Sequence, residues 1–243
     1  NPKARWSDGE PLTADDYVHT WHMMQSEHIV DPFYNSYAED YFEEIVAIEP
    51  YVLKIVGKFE SWRPLDNFDL WATPKHAMSL EEGFPERYNA AILPVQGPYL
   101  ISEQETGQYV AYERLADWWG KDHHYWQGMY NVDRIHIRVI EDQNRGLDFF
   151  KKGELSLLRV NTARIWAEEM RFDAVQQGWA HRKRLFIDYP NGWYGIAMNL
   201  ERPLLQNKDF RKAVQYLLNF DEINEKLMYN AYYRQISAFT GSE

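Results

Sequence analysis

Three side chains near the start of the chain have residue types and a spacing that would suit a metal site. Asp15, His19 and His22 stand at i, i+4 and i+7, so on a helix they share one face, where a carboxylate and two imidazoles would converge. Ordinary solvated helix faces produce the same spacing, and the trio reads as one; no metal is expected. Asp122-His123-His124 reads likewise as a polar surface loop. The acids Glu43-Glu44, Glu81-Glu82 and Glu168-Glu169 are adjacent doublets whose members point apart on any regular element, so none supplies the converging pair of a glycoside hydrolase. The chain has no GxSxG elbow, HExxH, GxGxxG or Walker loop, and no catalytic residue or cofactor is assigned. Gly192-Trp193-Tyr194-Gly195 sets two large amphipathic rings between residues that permit close backbone approach. The rings either pack in a core or line a cleft along which a ligand backbone runs.

The elements around these residues are mixed. Thr13 followed by Ala14, Asp15 and Asp16 reads as an N-cap with acids on the first turn, predicting a helix over 14–25 with Tyr17, Val18, Trp21 and Met24 as its core stripe and Asp15, His19 and His22 as its wet one. Residues 43–58 alternate around Glu49-Pro50 and predict a hairpin, and 99–102 with 108–114 predict a second around Glu105-Thr106-Gly107. Between them, the aromatics Trp62, Phe68 and Trp71 among prolines predict short helical turns and loops. Further strands are expected over 133–140, 155–160, 184–187 and 193–199. Further helices are expected over 142–152 with Gly153 closing, 163–172, 208–218 and just beyond. Strands and helices so mingled predict a mixed α/β body.

Composition narrows the function classes. The 243 residues carry 26 Lys and Arg against 37 Asp and Glu, a net charge of -11, so nucleic acid and anionic membrane are poor partners. With no cysteine there is no disulfide, thiolate zinc site or thiol nucleophile. No apolar run approaches the length of a spanning helix, so direct membrane insertion is not expected. Ten Trp and 17 Tyr exceed what a core of this size usually takes, and some are expected at a binding surface. The chain begins Asn1-Pro2 rather than with Met, which predicts a processed product or a segment of a longer protein.

Several stretches, read together, resemble the extracellular solute-binding proteins of family 5, the peptide and nickel class that serves ABC importers. Ala4-Arg5-Trp6-Ser7-Asp8-Gly9-Glu10-Pro11-Leu12-Thr13-Ala14-Asp15-Asp16 is similar to the family's signature segment. Gly97-Pro98-Tyr99, Tyr112-Glu113-Arg114, Asp117-Trp118-Trp119-Gly120, Asn131-Val132-Asp133-Arg134-Ile135 and Phe150-Lys151-Lys152-Gly153-Glu154-Leu155 follow in the family's order, as does Ala197-Met198-Asn199-Leu200 with Pro203, Asp209, Arg211 and Ala213. The run Asn219-Phe220-Asp221-Glu222-Ile223-Asn224, the tail from Met228 to Phe239 with Ser242-Glu243, and Asn161-Thr162-Ala163-Arg164-Ile165-Trp166-Ala167 look like the Yej-type oligopeptide and microcin C binding branch. Ser156, where the family usually has Asp, and Gln96, where it often has a small residue, depart from the pattern.

The resemblance implies a mixed-sheet α/β periplasmic binding protein of type II, cluster C-like, here as an incomplete two-lobed body. Residues 1–92 would be part of lobe I with its insertion subdomain, 93–192 the α/β core of lobe I, and 193–243 the crossover and start of a truncated lobe II. It implies a non-catalytic, periplasmic or extracellular receptor, associated with the membrane only through its permease, that captures an oligopeptide or peptide-like solute for an ABC permease of the inner membrane. An oligosaccharide receptor of the same fold and a carbohydrate-active enzyme are the alternatives. The positions matching cleft-lining segments are Arg159, Asn161, Thr162, Trp166, Trp193 and Tyr194. Arg159 would fork onto a ligand carboxylate, Asn161 and Thr162 would bond an extended backbone, and the rings would stack.

Overall fold

In the computed structural model, which describes residues 1–29, 31–63, 70–185, 195–235 and 237, the chain opens on a tight reversal. Arg5 bridges Pro11, the Trp6 N–H donates to the Glu10 carbonyl at 2.8 Å, and Gly9 takes φ +93°, a left-handed conformation that side chains rarely adopt. The reversal buries Ala4, Trp6 and Leu12 against Ala72, with Tyr17 and Trp119 packed around them.

Helix α1, Ala14–Gln25, follows with Thr13 as its N-cap, as the acids on its first turn predict. Its buried face differs from the expected one. Asp16, His19 and Thr20 are buried with Ala14 and Met24, whereas Tyr17, Val18 and Trp21 are only half-buried. The polar face is buried because it meets matching polar groups. Asp16 accepts from the backbone N–H of Thr13 (2.8 Å) and of Lys75 (3.1 Å) and from the Trp6 indole (3.3 Å), while the Thr20 and Thr73 hydroxyls lie 3.0 Å apart.

Helix α2, Pro32–Tyr41, is capped by Asp31, whose carboxylate accepts from the N–H groups of Phe33 and Tyr34. It leads into the expected first hairpin, β1 Phe42–Glu49 with β2 Val52–Gly57, which is antiparallel and buries Phe42 and Ile45. After the short helix α3, Phe84–Tyr88, comes a three-stranded antiparallel sheet of β3 Tyr99–Glu105, β4 Tyr109–Arg114 and β5 Arg134–Arg138, in that order. Gly107 turns β3 into β4 at φ +76°. The indoles of Trp118 and Trp119 both donate to the Gln96 carbonyl, at 2.8 and 3.0 Å, fixing the following loop beside the start of β3. These elements form one unit, Asn1–Val139.

The second unit, Ile140–Glu243, is helical among the described residues. Helix α4, Gln143–Lys151, is capped by Asp142 and closed by Gly153 at φ +77°. A π-helical turn, Ile165–Glu169, then brings Ile165 and Met170 against Leu147, with Phe150, Leu158, Val160 and Phe172 around them. Four short helices follow: α5 Asp173–Gln176, α6 Pro203–Gln206, α7 Lys208–Leu217 and α8 Phe220–Leu227. Residues 155–160, expected as a strand, form none. A strand needs a ladder partner, and Leu158 and Val160 serve instead as packing on α4. Of the strands expected over 184–187 and 193–199, residues 186–194 lie outside the described residues, and 184–185 and 195–199 form no ladder.

Candidate functional site

Residues 159–169 lie beside the N-terminal turn of α4. The Thr162 hydroxyl donates to the Gln143 side chain, and Arg164 donates to Asn144 Oδ1 at 3.0 Å. The Thr162 carbonyl then accepts from the Trp166 N–H at 3.1 Å, so the chain turns back one residue after the polar pair and sets Trp166 half-buried on the π-helical turn. Arg164 also binds Glu169 at 2.5 Å, with Lys151 3.5 Å from the same carboxylate. The hydrogen bond from Arg164 holds the Glu169 carboxyl below its usual range. The hydroxyl that Tyr229 donates to Glu168 keeps the Tyr229 phenol protonated beyond its ordinary range.

Trp166 is covered by cations. The Arg182 guanidinium lies 4.4 Å from the ring centroid and donates to the Trp166 carbonyl at 3.0 Å, and Arg184 lies 6.0 Å from the same ring. Thus Thr162 and Trp166, two of the residues expected from the sequence, stand in one polar and cationic neighbourhood. Arg159 and Asn161 lie on the same stretch, exposed, with no side-chain partner among the described residues. Trp193 and Tyr194 lie outside the described residues. The sequence reading passed over Arg164, Arg182 and Arg184. The run His181-Arg182-Lys183-Arg184, basic in an acidic chain, is the signal that would have found the last two.

The metal spacing on α1 does not assemble. His19 has both ring nitrogens engaged, Nδ1 with Thr73 Oγ1 and Nε2 with the Met78 carbonyl, while Asp15 pairs with Lys75 at 3.3 Å and His22 stacks on Trp21. Among the described residues no three His, Asp or Glu side chains are grouped to hold a metal.

The first unit carries two further features. An open, apolar cleft of about 560 Å³ has Trp6, Met23, Met78, Phe84, Tyr88 and Val95 among its walls. Along α2, Phe33, Tyr37 and Tyr41 form a row of ring contacts that extends to Phe59, with Tyr34 reaching Trp71. Among the described residues no helix is long and apolar enough to cross a membrane.

Comparison with known proteins supplies the context for these sites. The profile of the bacterial extracellular solute-binding proteins, family 5 Middle, matches residues 1–242. The "Probable peptide-binding protein YejA" of Agrobacterium fabrum is 28% identical over 251 residues, covering 99% of this chain and 40% of its own length. The peptidoglycan-binding protein YepA of the same organism is 27% identical over 254 residues, covering 100% of this chain and 40% of its own. This chain spans about two fifths of the length of the curated relatives it matches. Among solved structures, the periplasmic oligopeptide-binding protein of Thermotoga maritima with bound mannohexaose superposes with a TM-score of 0.65 at 21% identity, over 95% of this chain and 41% of that one. The mixed α/β architecture is that of the type II periplasmic binding proteins.

Proposed function

Because the chain belongs to the bacterial extracellular solute-binding proteins of family 5, we propose that it is part of the capture component of an ABC importer that takes an oligopeptide or peptide-like solute between two lobes. The observation that carries the reading is the family match over residues 1–242, with Yej-type relatives along the whole chain, one of them described as peptide-binding. On this reading the protein works in the periplasm without catalysing a reaction and delivers its ligand to a permease of the inner membrane. Residues 1–92 and 93–192 are assigned to lobe I and its insertion, and 193–243 to the start of lobe II.

The proposed ligand contacts are Arg159, Asn161, Thr162, Trp166, Trp193 and Tyr194. The chemistry of the described members suits the role. Arg159 has its guanidinium exposed and uncommitted, Asn161 offers a donor and an acceptor to a peptide backbone, and Trp166 carries the Arg182 guanidinium over its ring. Tolerance of varied side chains would come from backbone hydrogen bonds and wet, roomy pockets.

An oligosaccharide ligand is the second reading. It is favoured by the row of rings on α2, which could stack on pyranose faces, and by the mannohexaose held by the Thermotoga maritima protein of like fold. Native mass spectrometry of the purified protein, before and after denaturation, separates the two. Released peptide masses support the peptide receptor, and hexose-spaced masses move the sugar reading forward. Turnover of a chromogenic glycoside, lost on removal of two converging carboxylates, would overturn both in favour of an enzyme.

A further inference from the structure

Charge is divided unequally along the chain. Residues 1–139 carry 11 Lys and Arg against 23 Asp and Glu, whereas residues 140–243 carry 15 against 14. The net negative charge of the protein therefore resides in its first unit, and the second is close to neutral. Within the second unit, His181, Arg182, Lys183 and Arg184 are consecutive and exposed. Arg182 and Arg184 both stand over Trp166, which is set one turn beyond Thr162. The acids of this neighbourhood are committed elsewhere: Glu169 to Arg164 and Lys151, Glu168 to Tyr229. Among the described residues no carboxylate pairs with Arg182 or Arg184.

A guanidinium held over an indole has its planar fork oriented; Arg182 spends one Nη2 donor on the Trp166 carbonyl at 3.0 Å and keeps its others, and among the described residues Arg184 has no hydrogen-bond partner. This is the arrangement that receives a carboxylate through two parallel hydrogen bonds at low entropic cost. We infer that Arg182 and Arg184, positioned by Trp166, form an anion-recognising subsite, and that the solute this protein prefers is an acidic peptide, one carrying side-chain carboxylates in addition to its C-terminus. This deepens the peptide reading and rests on it. The neutral balance of the second unit matters here, because a net negative surface at this place would weaken any preference for acid over amide.

The test is isothermal titration calorimetry of the purified protein with the tetrapeptide Ala-Glu-Glu-Ala, its amide counterpart Ala-Gln-Gln-Ala, and glutarate as a non-peptide dicarboxylate. The acidic peptide should bind at least about tenfold tighter than the amide. The doubly substituted R182Q/R184Q protein should lose that preference and keep its affinity for Ala-Gln-Gln-Ala, which also shows that it remains folded. Equal affinity for the two peptides overturns the acidic subsite and leaves the peptide reading standing. A preference that survives R182Q/R184Q overturns the assignment to these arginines. Binding of glutarate alone, lost in R182Q/R184Q, supports the subsite and overturns the peptide reading. Binding of none of the three overturns both.

Discussion

The Nδ1 of His19 lies 2.7 Å from the hydroxyl of Thr73, tying the middle of α1 to a segment 54 residues further along the chain. The other ring nitrogen is 3.1 Å from the Met78 carbonyl, which only accepts, so Nε2 carries a proton. With both ring nitrogens engaged, the buried imidazole is a structural link between α1 and the chain that leads to α3.

A pH dependence follows. Burial pushes the His19 pKa below its usual value near 6.5, as do Lys75 and His22, against the opposing influence of Met78 and Asp16. The unfolded chain then binds the proton more readily than the folded one. This contribution to stability is complete above about pH 6.5 and is lost as pH falls through the folded-state value. Thermal melts between pH 7.5 and 5 should show a falling midpoint in the native protein and a shallower fall in His19→Gln. An unchanged slope in the variant would assign the effect to another group.

Asp16 is 4% exposed and its carboxylate accepts from Thr13, Lys75 and Trp6. Asp16→Ala removes the first-turn partner of α1 and leaves buried donors unsatisfied. A loss of about 2–4 kcal/mol in urea unfolding is expected. A loss below about 1 kcal/mol would mean that water replaces the carboxylate.

Gly120 has no room for a side chain, because a Cβ there would lie 2.6 Å from the Trp118 ring. Gly120→Ala must displace that indole from the Gln96 carbonyl, to which it donates at 2.8 Å. The expected result is a destabilisation of about 1–3 kcal/mol with a red-shifted tryptophan emission. Unchanged emission would show that the ring does not move.

Among the described residues strand β5 is an edge of its sheet, and Ile137, 52% exposed, lies on it between Ile135 and, just past the strand, Val139, which are also exposed. An apolar row on an unpaired edge invites association between copies of this 243-residue chain. Sedimentation velocity of the chain should show concentration-dependent association, which Ile137→Lys reduces. A chain that stays monomeric at high concentration would contradict this.

Arg159→Ala and Trp166→Ala test the proposed contacts directly. Each should weaken binding of any peptide that the native protein binds by about 10- to 100-fold, the range for a charged hydrogen bond or an interface ring. A variant that binds as before removes its residue from the site.

What the sequence determined by itself is what depends on neighbours in the chain. The N-cap at Thr13, the hairpins around Pro50 and Gly107, and the helix between Asp142 and Gly153 are set by caps, turn residues and alternation within a few positions, and they stand where expected. The family, too, was legible, because its motifs are short and follow in order along the chain. Tertiary structure decided which faces are buried. The polar side of α1 went inward because Thr73, Met78 and Lys75, more than fifty residues away, offer it hydrogen bonds, and helical periodicity reports amphipathicity without reporting such partners. Residues 155–160 have the alternation of a strand and lack a ladder to join, a condition that no local pattern can state. At the candidate site, Arg159, Asn161, Thr162 and Trp166 are proposed from the family resemblance of their stretch. The cover of Arg182 and Arg184 over Trp166 required the chain to fold back across 16 residues or more, and only the folded structure brings those charges to that ring.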